Sequence, residues 1–266
     1  MGERASFYVA DGDRLIGTDY TRGPWSVDHQ HGGPPTAAIA RALTRAVDDD
    51  AWALARVTFE LLRPVTLAPL RIALRELGRS RSTRRFTAAL EVDGREAIVA
   101  QALLLRRHEV TLPALAPTPQ PPPPEASEPL DLPLFDDRPG YHRAFEIRRA
   151  AGRYGRGQLS AWMRATVDLV AGEAITPLER VMVAADSCNG LSAAVDPRAI
   201  SFVSGDLTVH VARPMRGEWL CVAAESVLDG AGVGVASGRL HDVEGTIGAV
   251  SQSLVVRDLR ASAPAS

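Results

Sequence analysis

Two separated parts of the chain alternate apolar and polar residues, and in each part these runs follow one amphipathic segment. In the first part, residues 52–62, 69–77, 84–92 and 97–106 are rich in apolar and β-branched side chains and are separated by turn signals, which predicts four strands. Ahead of them, Ile39, Leu43 and Val47 follow a Gly-Gly pair and two prolines at four-residue spacing, which predicts a helix over residues 33–47. A helix followed by an antiparallel meander is typical of an α+β unit.

The second part repeats this order. Residues 141–150 and 157–164 have strand character, and Thr176, Pro177 and Glu179 provide an N-cap, a first-turn proline and a capping-box acid. We therefore predict a helix over residues 177–191. Four further strands are expected over residues 200–212, 218–228, 232–240 and 246–256.

The two parts are related at a nearly constant offset, which indicates a duplicated unit. At an offset of 150 residues the chain repeats Thr58 as Thr208, Arg63 as Arg213 and Pro64 as Pro214. A second match, at an offset of 151, aligns Gln101 with Gln252.

The copies differ where polar residues concentrate. Ser204 and Asp206 of the second copy fall on Leu54 and Arg56 of the first. Alternation along the strand would put Ser204 on the same face as Asp206, Thr208 and His210. This asymmetry predicts a single functional site, assembled from both copies.

Composition supports a three-part organisation of the chain. Residues 109–139 carry most of the prolines, and such a segment is expected to be extended and unable to continue a sheet. It is therefore predicted to be a linker. The predicted parts are therefore an N-terminal unit (1–108), the linker (109–139) and a C-terminal unit (140–266). The formal net charge of −2 gives no electrostatic reason to expect nucleic acid or a membrane surface as a partner.

The location expected from the sequence is the cytoplasm. Two cysteines are too few for a disulfide framework, and the first residues lack the apolar core of a secretion signal. No run reaches the roughly 18 apolar residues of a membrane span.

A helix wrapped by an antiparallel sheet, duplicated and fused, is the double hotdog arrangement, with two antiparallel sheets each around one central helix. The second half resembles the type II acyl-CoA thioesterases, and the whole chain resembles the broader actinobacterial thioesterase-like group. The resemblance rests on HGGPPTAAIARAL, on the Asp in AADSCNGL and on the Arg-Pro dipeptides. It implies a catalytic Asp186, Ser204 and Gln252 that hold a hydrolytic water.

The chemistry of these residue types suits thioester hydrolysis. A partly desolvated Asp186 would accept a water proton, while the Ser204 hydroxyl and the Gln252 amide would orient that water. Backbone N–H groups near Gly32 and Gly33 would stabilise the carbonyl oxygen or bind substrate. The implied substrate is an acyl-CoA or an acyl-carrier thioester. No metal or organic cofactor is required, and a homodimer or larger homo-oligomer is expected.

Three alternatives remain open at this stage. The Ser204-Gly205-Asp206 run with His210 resembles the enoyl-CoA hydratase motif of other hotdog proteins. Cys188 with His29 or His31 would make a nucleophile pair. The fold would also suit a non-catalytic protein that binds acyl-CoA or another acyl ligand.

Overall fold

The computed structural model describes residues 5–114, 116 and 118–260. Its first half contains six strands and one helix, including the predicted helix and the four predicted strands that follow it. They are β1 (Ser6–Asp11), β2 (Arg14–Gly17), α1 (Gly33–Val47), β3 (Trp52–Leu61), β4 (Leu70–Arg79), β5 (Thr83–Val92) and β6 (Arg95–Arg106). The helix predicted over residues 33–47 is confirmed.

The second half has the same order with an interrupted helix. Its elements are β7 (Glu128–Pro129), β8 (Phe145–Arg153), β9 (Gln158–Ala165), β10 (Asp168–Val170), α2 (Pro177–Ala185), α3 (Cys188–Leu191), β11 (Ile200–Ser204), β12 (Asp206–Val211), β13 (Leu220–Leu228), β14 (Val233–Asp242) and β15 (Gly245–Asp258). The predicted capping box is confirmed, since Thr176 Oγ1 accepts from the Glu179 N–H and Glu179 Oε2 accepts from the Thr176 N–H. Such a cap contributes about 1 kcal/mol.

The strands form one curved sheet in the order β10-β1-β2-β4-β5-β6-β3-β12-β15-β14-β13-β9-β8-β7, with β11 also paired to β15. The halves meet at two places, where β1 pairs in parallel with β10 and where β3 pairs with β12. The register of β3 and β12 places Thr58 opposite Thr208, its own sequence repeat. The Thr208 hydroxyl donates to the Thr58 hydroxyl at 3.1 Å. An internal two-fold axis therefore passes between these two threonines, as in a symmetric dimer interface. The double hotdog prediction is confirmed, although the two sheets are continuous.

The core lies between this sheet and the two long helices, which pack against each other. Apolar residues alternate inward on the paired central strands, where Val57, Phe59, Leu207 and Val209 are fully buried. The predicted alternation fails at one point. Ser204 pairs with Leu254 and Thr208 with Ser251, so the register slips by one residue at Gly205. This bulge turns Ser204 to the inner face, away from the face of Asp206, Thr208 and His210.

The proline-rich segment does more than join the halves. We predicted that it could not continue a sheet, but β7 within it pairs antiparallel with the edge strand β8. Its polar contacts include the Pro122 carbonyl, which accepts from the Trp162 indole N–H at 2.7 Å. The segment is therefore fixed against the second half. Within the described residues, no helix is long and apolar enough to cross a membrane.

Candidate active site

Asp186 lies at the C-terminal end of α2, directly opposite the N-terminal end of α1, and is 93% buried. Its carboxylate accepts hydrogen bonds from the Gly32 and Gly33 backbone N–H groups and, at Oδ1, from Gln252 Nε2 at 3.0 Å. Burial raises the pKa of Asp186 to about 7, and these three donors oppose the rise. A carboxyl group with this pKa is suited to proton transfer near neutral pH.

The predicted helix 177–191 is broken at Asp186 because side chains from outside it take its hydrogen-bonding groups. Tyr141 Oη donates to the Val183 carbonyl at 2.7 Å, so the Ser187 N–H turns to the Ala184 carbonyl instead. Gln252 Oε1 accepts from the Asn189 N–H at 3.0 Å. The break at this point directs the Asp186 carboxylate toward α1 rather than along the helix surface.

Gly32 and Gly33 are glycines because the two helix ends approach too closely for a side chain. A Cβ on Gly33 would lie 2.2 Å from the Val183 carbonyl oxygen, and one on Gly32 would lie 2.7 Å from Asp186 Oδ2. The amides of both residues are directed at Asp186 in this structure. Their predicted contact with the substrate carbonyl stays a prediction.

Gln252 connects Asp186 to Ser204. Its Nε2 donates to Ser204 Oγ at 2.9 Å as well as to Asp186, and the side chain is 99% buried. Asn189 Nδ2 donates to Ser204 Oγ at 3.1 Å. Because the serine oxygen accepts two hydrogen bonds, its own O–H hydrogen remains available as a donor. The structure thus brings the three predicted side chains together, and Asn189 joins them.

The first-copy counterpart of Gln252 is Ala102 rather than Gln101. Gln252 of β15 pairs with Ala236 of β14. The residues 150 positions before these two are Ala102 of β6 and Phe86 of β5, and they also pair with each other. The apparent repeat of Gln101 at offset 151 is thus one residue out of register. That slip places Gln101 on the outer, exposed face of its strand.

His31 is a site residue that the sequence suggested only as the partner of a cysteine. Its Nδ1 lies 3.1 Å from Asp186 Oδ2 and accepts from the Gly33 N–H at 3.1 Å. The ring stacks on Tyr141 with centroids 3.7 Å apart, and burial lowers the pKa of His31 to about 3. Its position directly before Gly32-Gly33 was the available signal, since the residue before a helix start lies near any group that the start contacts.

The site is covered by the proline-rich segment. Trp25 and Leu132, Leu134 and Phe135 enclose a cavity of about 20 Å³ beside Asn189 and Gly190. The Phe135 ring is stacked relative to the His31 ring, with centroids 6.4 Å apart. Space next to the polar network is therefore small, and its outer wall belongs to the segment predicted to be a linker.

Two of the alternative chemistries find little support here. Burial raises the pKa of the Cys188 thiol to about 12, which leaves it protonated and poorly nucleophilic. Asp206 accepts from the Ser253 N–H, and it lies with His210 on the strand face opposite to Ser204. Among the described residues, no group of three or more His, Cys, Asp or Glu side chains is placed to hold a metal ion.

The family model of the acyl-CoA thioesterase N-terminal domain matches residues 21–105, and that of the C-terminal domain matches residues 115–256. No curated protein gives a significant match.

Solved structures of similar shape cover nearly the whole chain. A proposed thioesterase from Novosphingobium aromaticivorans DSM 12444 is 21% identical, with a TM-score of 0.76 over 94% of this chain and 98% of its own. A proposed thioesterase II from Thermobifida fusca YX is 18% identical, with a TM-score of 0.75 over 95% of this chain and 96% of its own. The acyl-CoA thioesterase II TesB2 of Mycobacterium marinum is 16% identical, with a TM-score of 0.69 over 96% of each chain. At these identities the likeness establishes the fold.

Proposed function

The chain belongs to the acyl-CoA thioesterase family, and we propose that it hydrolyses acyl thioesters with a water held by Asp186 and Ser204. The observation that carries this proposal is the Gln252 amide, which bonds a buried carboxylate on one side and a serine hydroxyl on the other. A buried amide used in this way fixes the distance between a proton acceptor and a hydroxyl donor.

In the proposed first step, Asp186 accepts a proton from the water while the water oxygen bonds to the thioester carbonyl carbon. The Ser204 O–H orients the water by donating to one of its lone pairs. Gln252 acts through its two neighbours and is a positioning residue. The carbonyl π electrons move to oxygen, which gives a tetrahedral oxyanion.

In the second step the oxyanion collapses and the carbon–sulfur bond breaks. The proton on Asp186 passes to the departing sulfur, which leaves a carboxylic acid, a thiol and the original carboxylate. We propose that the Gly32 and Gly33 amides stabilise the oxyanion, because Asp186 accepts hydrogen bonds less strongly once it is protonated. No atom of a cofactor is needed for this balance.

The test is a screen of acyl-CoA esters of increasing chain length, with thiol release measured for the wild type and for Asp186→Asn. We expect Asp186→Asn to lower kcat/KM by roughly 10²-fold or more, since it removes the proton acceptor. The wild-type kcat/KM should rise with pH and level off above about pH 7, where Asp186 is ionised. Wild-type rates in Asp186→Asn would contradict the assignment, and binding of acyl-CoA without turnover would favour a binding protein.

A further inference from the structure

A cleft with a volume of about 1000 Å³ lies away from Asp186. It opens between the C-terminal end of α1 and the N-terminal end of α2. Apolar side chains provide much of its wall, among them Leu43, Val47, Trp52, Leu54, Leu104 and Met215. None of the residues of the Asp186 network lines it.

The cleft is the two-fold counterpart of the active site. The axis between Thr58 and Thr208 exchanges α1 with α2 and β3 with β11 and β12. The active site lies where α1 begins and α2 ends, and the cleft lies where α2 begins and α1 ends. The two cavities therefore occupy positions in the fold that are related by the internal two-fold axis.

The counterpart lacks the polar groups of the active site. Leu54 takes the place of Ser204, and Ala102 takes the place of Gln252. At the helix start, Pro177 has no N–H, and the Thr176 and Glu179 N–H groups are bonded within the capping box. The cleft therefore offers no counterpart to the Ser204 hydroxyl or the Gln252 amide.

We propose that this cleft binds the acyl chain of a fatty acyl thioester or fatty acid without hydrolysing it. The ligand class rests on the proposed function of the related site. An apolar cavity near the upper end of the roughly 300–1,000 Å³ range suits a long alkyl chain rather than a polar metabolite. It is far larger than the cavity of about 20 Å³ at the active site, and among the described residues no segment like Leu132–Phe135 forms part of its lining.

The balance of charges at the rim of the cleft indicates that the cleft recognises the acyl chain of the ligand and not its head group. Three acidic residues and three arginines line the same opening, so neither sign prevails: Asp48, Asp49, Asp50, Arg106, Arg107 and Arg213. Acyl-CoA and free fatty acid of equal chain length should therefore bind comparably, and short acyl groups should bind poorly.

The experiment uses a palmitoyl chain with a diazirine, supplied both as the free acid and as a non-hydrolysable CoA thioether. After irradiation, mass spectrometry of the digested wild-type protein identifies the labelled peptides. We expect label on residues 52–55, 104–108 and 211–215 with both probes. Leu54→Trp should fill the cleft and lower this label roughly tenfold. Val243→Trp, in an exposed turn outside the cleft, is the matched control.

Leu105→Glu, which places a carboxylate in the cleft at a residue 42% exposed, replaces Leu54→Trp if that variant does not fold. Absence of label from the cleft peptides in the wild type, or unchanged label in the folded cleft variant, would overturn the proposal. Thiol release by the wild type is measured separately. Label in the cleft without any hydrolysis would refute the proposed function but would still support the proposed binding site.

Discussion

His31 Nδ1 lies 3.1 Å from Asp186 Oδ2, in a part of the molecule that water reaches poorly. Both atoms are acceptors when they carry no proton, so a contact this short requires one proton between them. Burial raises the pKa of Asp186 to about 7 and lowers the pKa of His31 to about 3. Between these two pKa values the pair therefore holds a single proton, on Asp186.

These two pKa shifts predict opposite pH dependences of stability in the two single variants. A carboxyl with a raised folded pKa loses stability as the pH rises from about 4 to 7, whereas a histidine with a lowered folded pKa gains stability as the pH rises from about 3 to 6.5. In the wild type the two slopes offset each other between about pH 4 and 6.5. In His31→Asn the free energy of unfolding should fall as the pH rises, and in Asp186→Asn it should increase. Each slope should reach up to about 1.4 kcal/mol per pH unit.

Urea denaturation across this pH window measures these slopes. The double variant is the control and should be as flat as the wild type. Two neighbours do not titrate in the window, since burial raises the pKa of Tyr141 well above its ordinary value and that of Cys188 to about 12. Parallel curves for His31→Asn and the wild type would show that His31 does not contribute the opposing slope.

The network around Gln252 predicts a ranking of activity losses. Gln252→Ala breaks contacts to Asp186, Asn189 and Ser204 at once, so kcat should fall more than in Ser204→Ala, which removes one orienting hydroxyl. Expected losses are roughly 10²-fold and roughly tenfold. Gln101→Ala, on the outer face of β6, is the matched glutamine control and should retain wild-type kcat on the best acyl-CoA. An equal loss in both glutamine variants would place the site elsewhere.

The cover over the active site predicts control of acyl chain length. Leu134 packs against Gly190, where an added Cβ would lie 3.8 Å from Leu134 Cδ2. Leu134→Ala should enlarge the cavity and move the preferred substrate toward longer acyl chains, with kcat/KM for short esters falling no more than a few-fold. Gly190→Val should move the preferred substrate toward shorter acyl chains. Profiles of thiol release against chain length measure both shifts, and identical profiles in all three proteins would mean that the acyl group lies elsewhere.

The expected homo-oligomer has a candidate contact surface on the outer face of the second half. Paired strands place five exposed valines on this face: Val203, Val227, Val233, Val235 and Val255. Val227→Arg should lower the mass measured by light scattering, because a guanidinium would be buried unpaired in such an interface. Val243→Arg, in a turn outside the patch, should not. Equal masses for both variants and the wild type would exclude this face as the contact.

The repeated elements were predictable because hydrophobic periodicity and the 150-residue offset act over short windows of sequence. Details of the site depend on contacts between distant residues. The break in the helix at Asp186 requires Tyr141 and Gln252, which lie 45 and 66 residues away. The bulge at Gly205 moves Ser204 to the inner face of the sheet. The sequence of this strand has the same alternation of polar and apolar residues as a regular strand, so the bulge could not be predicted from it. Likewise, Gln101 matches Gln252 in sequence but differs by one residue in register, which reverses the face of the strand.

The threonine pair at the centre of the sheet has a consequence for how this protein can diverge. In a dimer of identical chains, every substitution beside the axis appears on both sides, and a change that suits one cavity is imposed on the other. Here Thr58 and Thr208 are encoded separately within one chain, although their hydroxyls still meet as symmetry mates would. A leucine can therefore replace the serine of one half while the other half keeps it. Covalent fusion freed each cavity to acquire residues of its own.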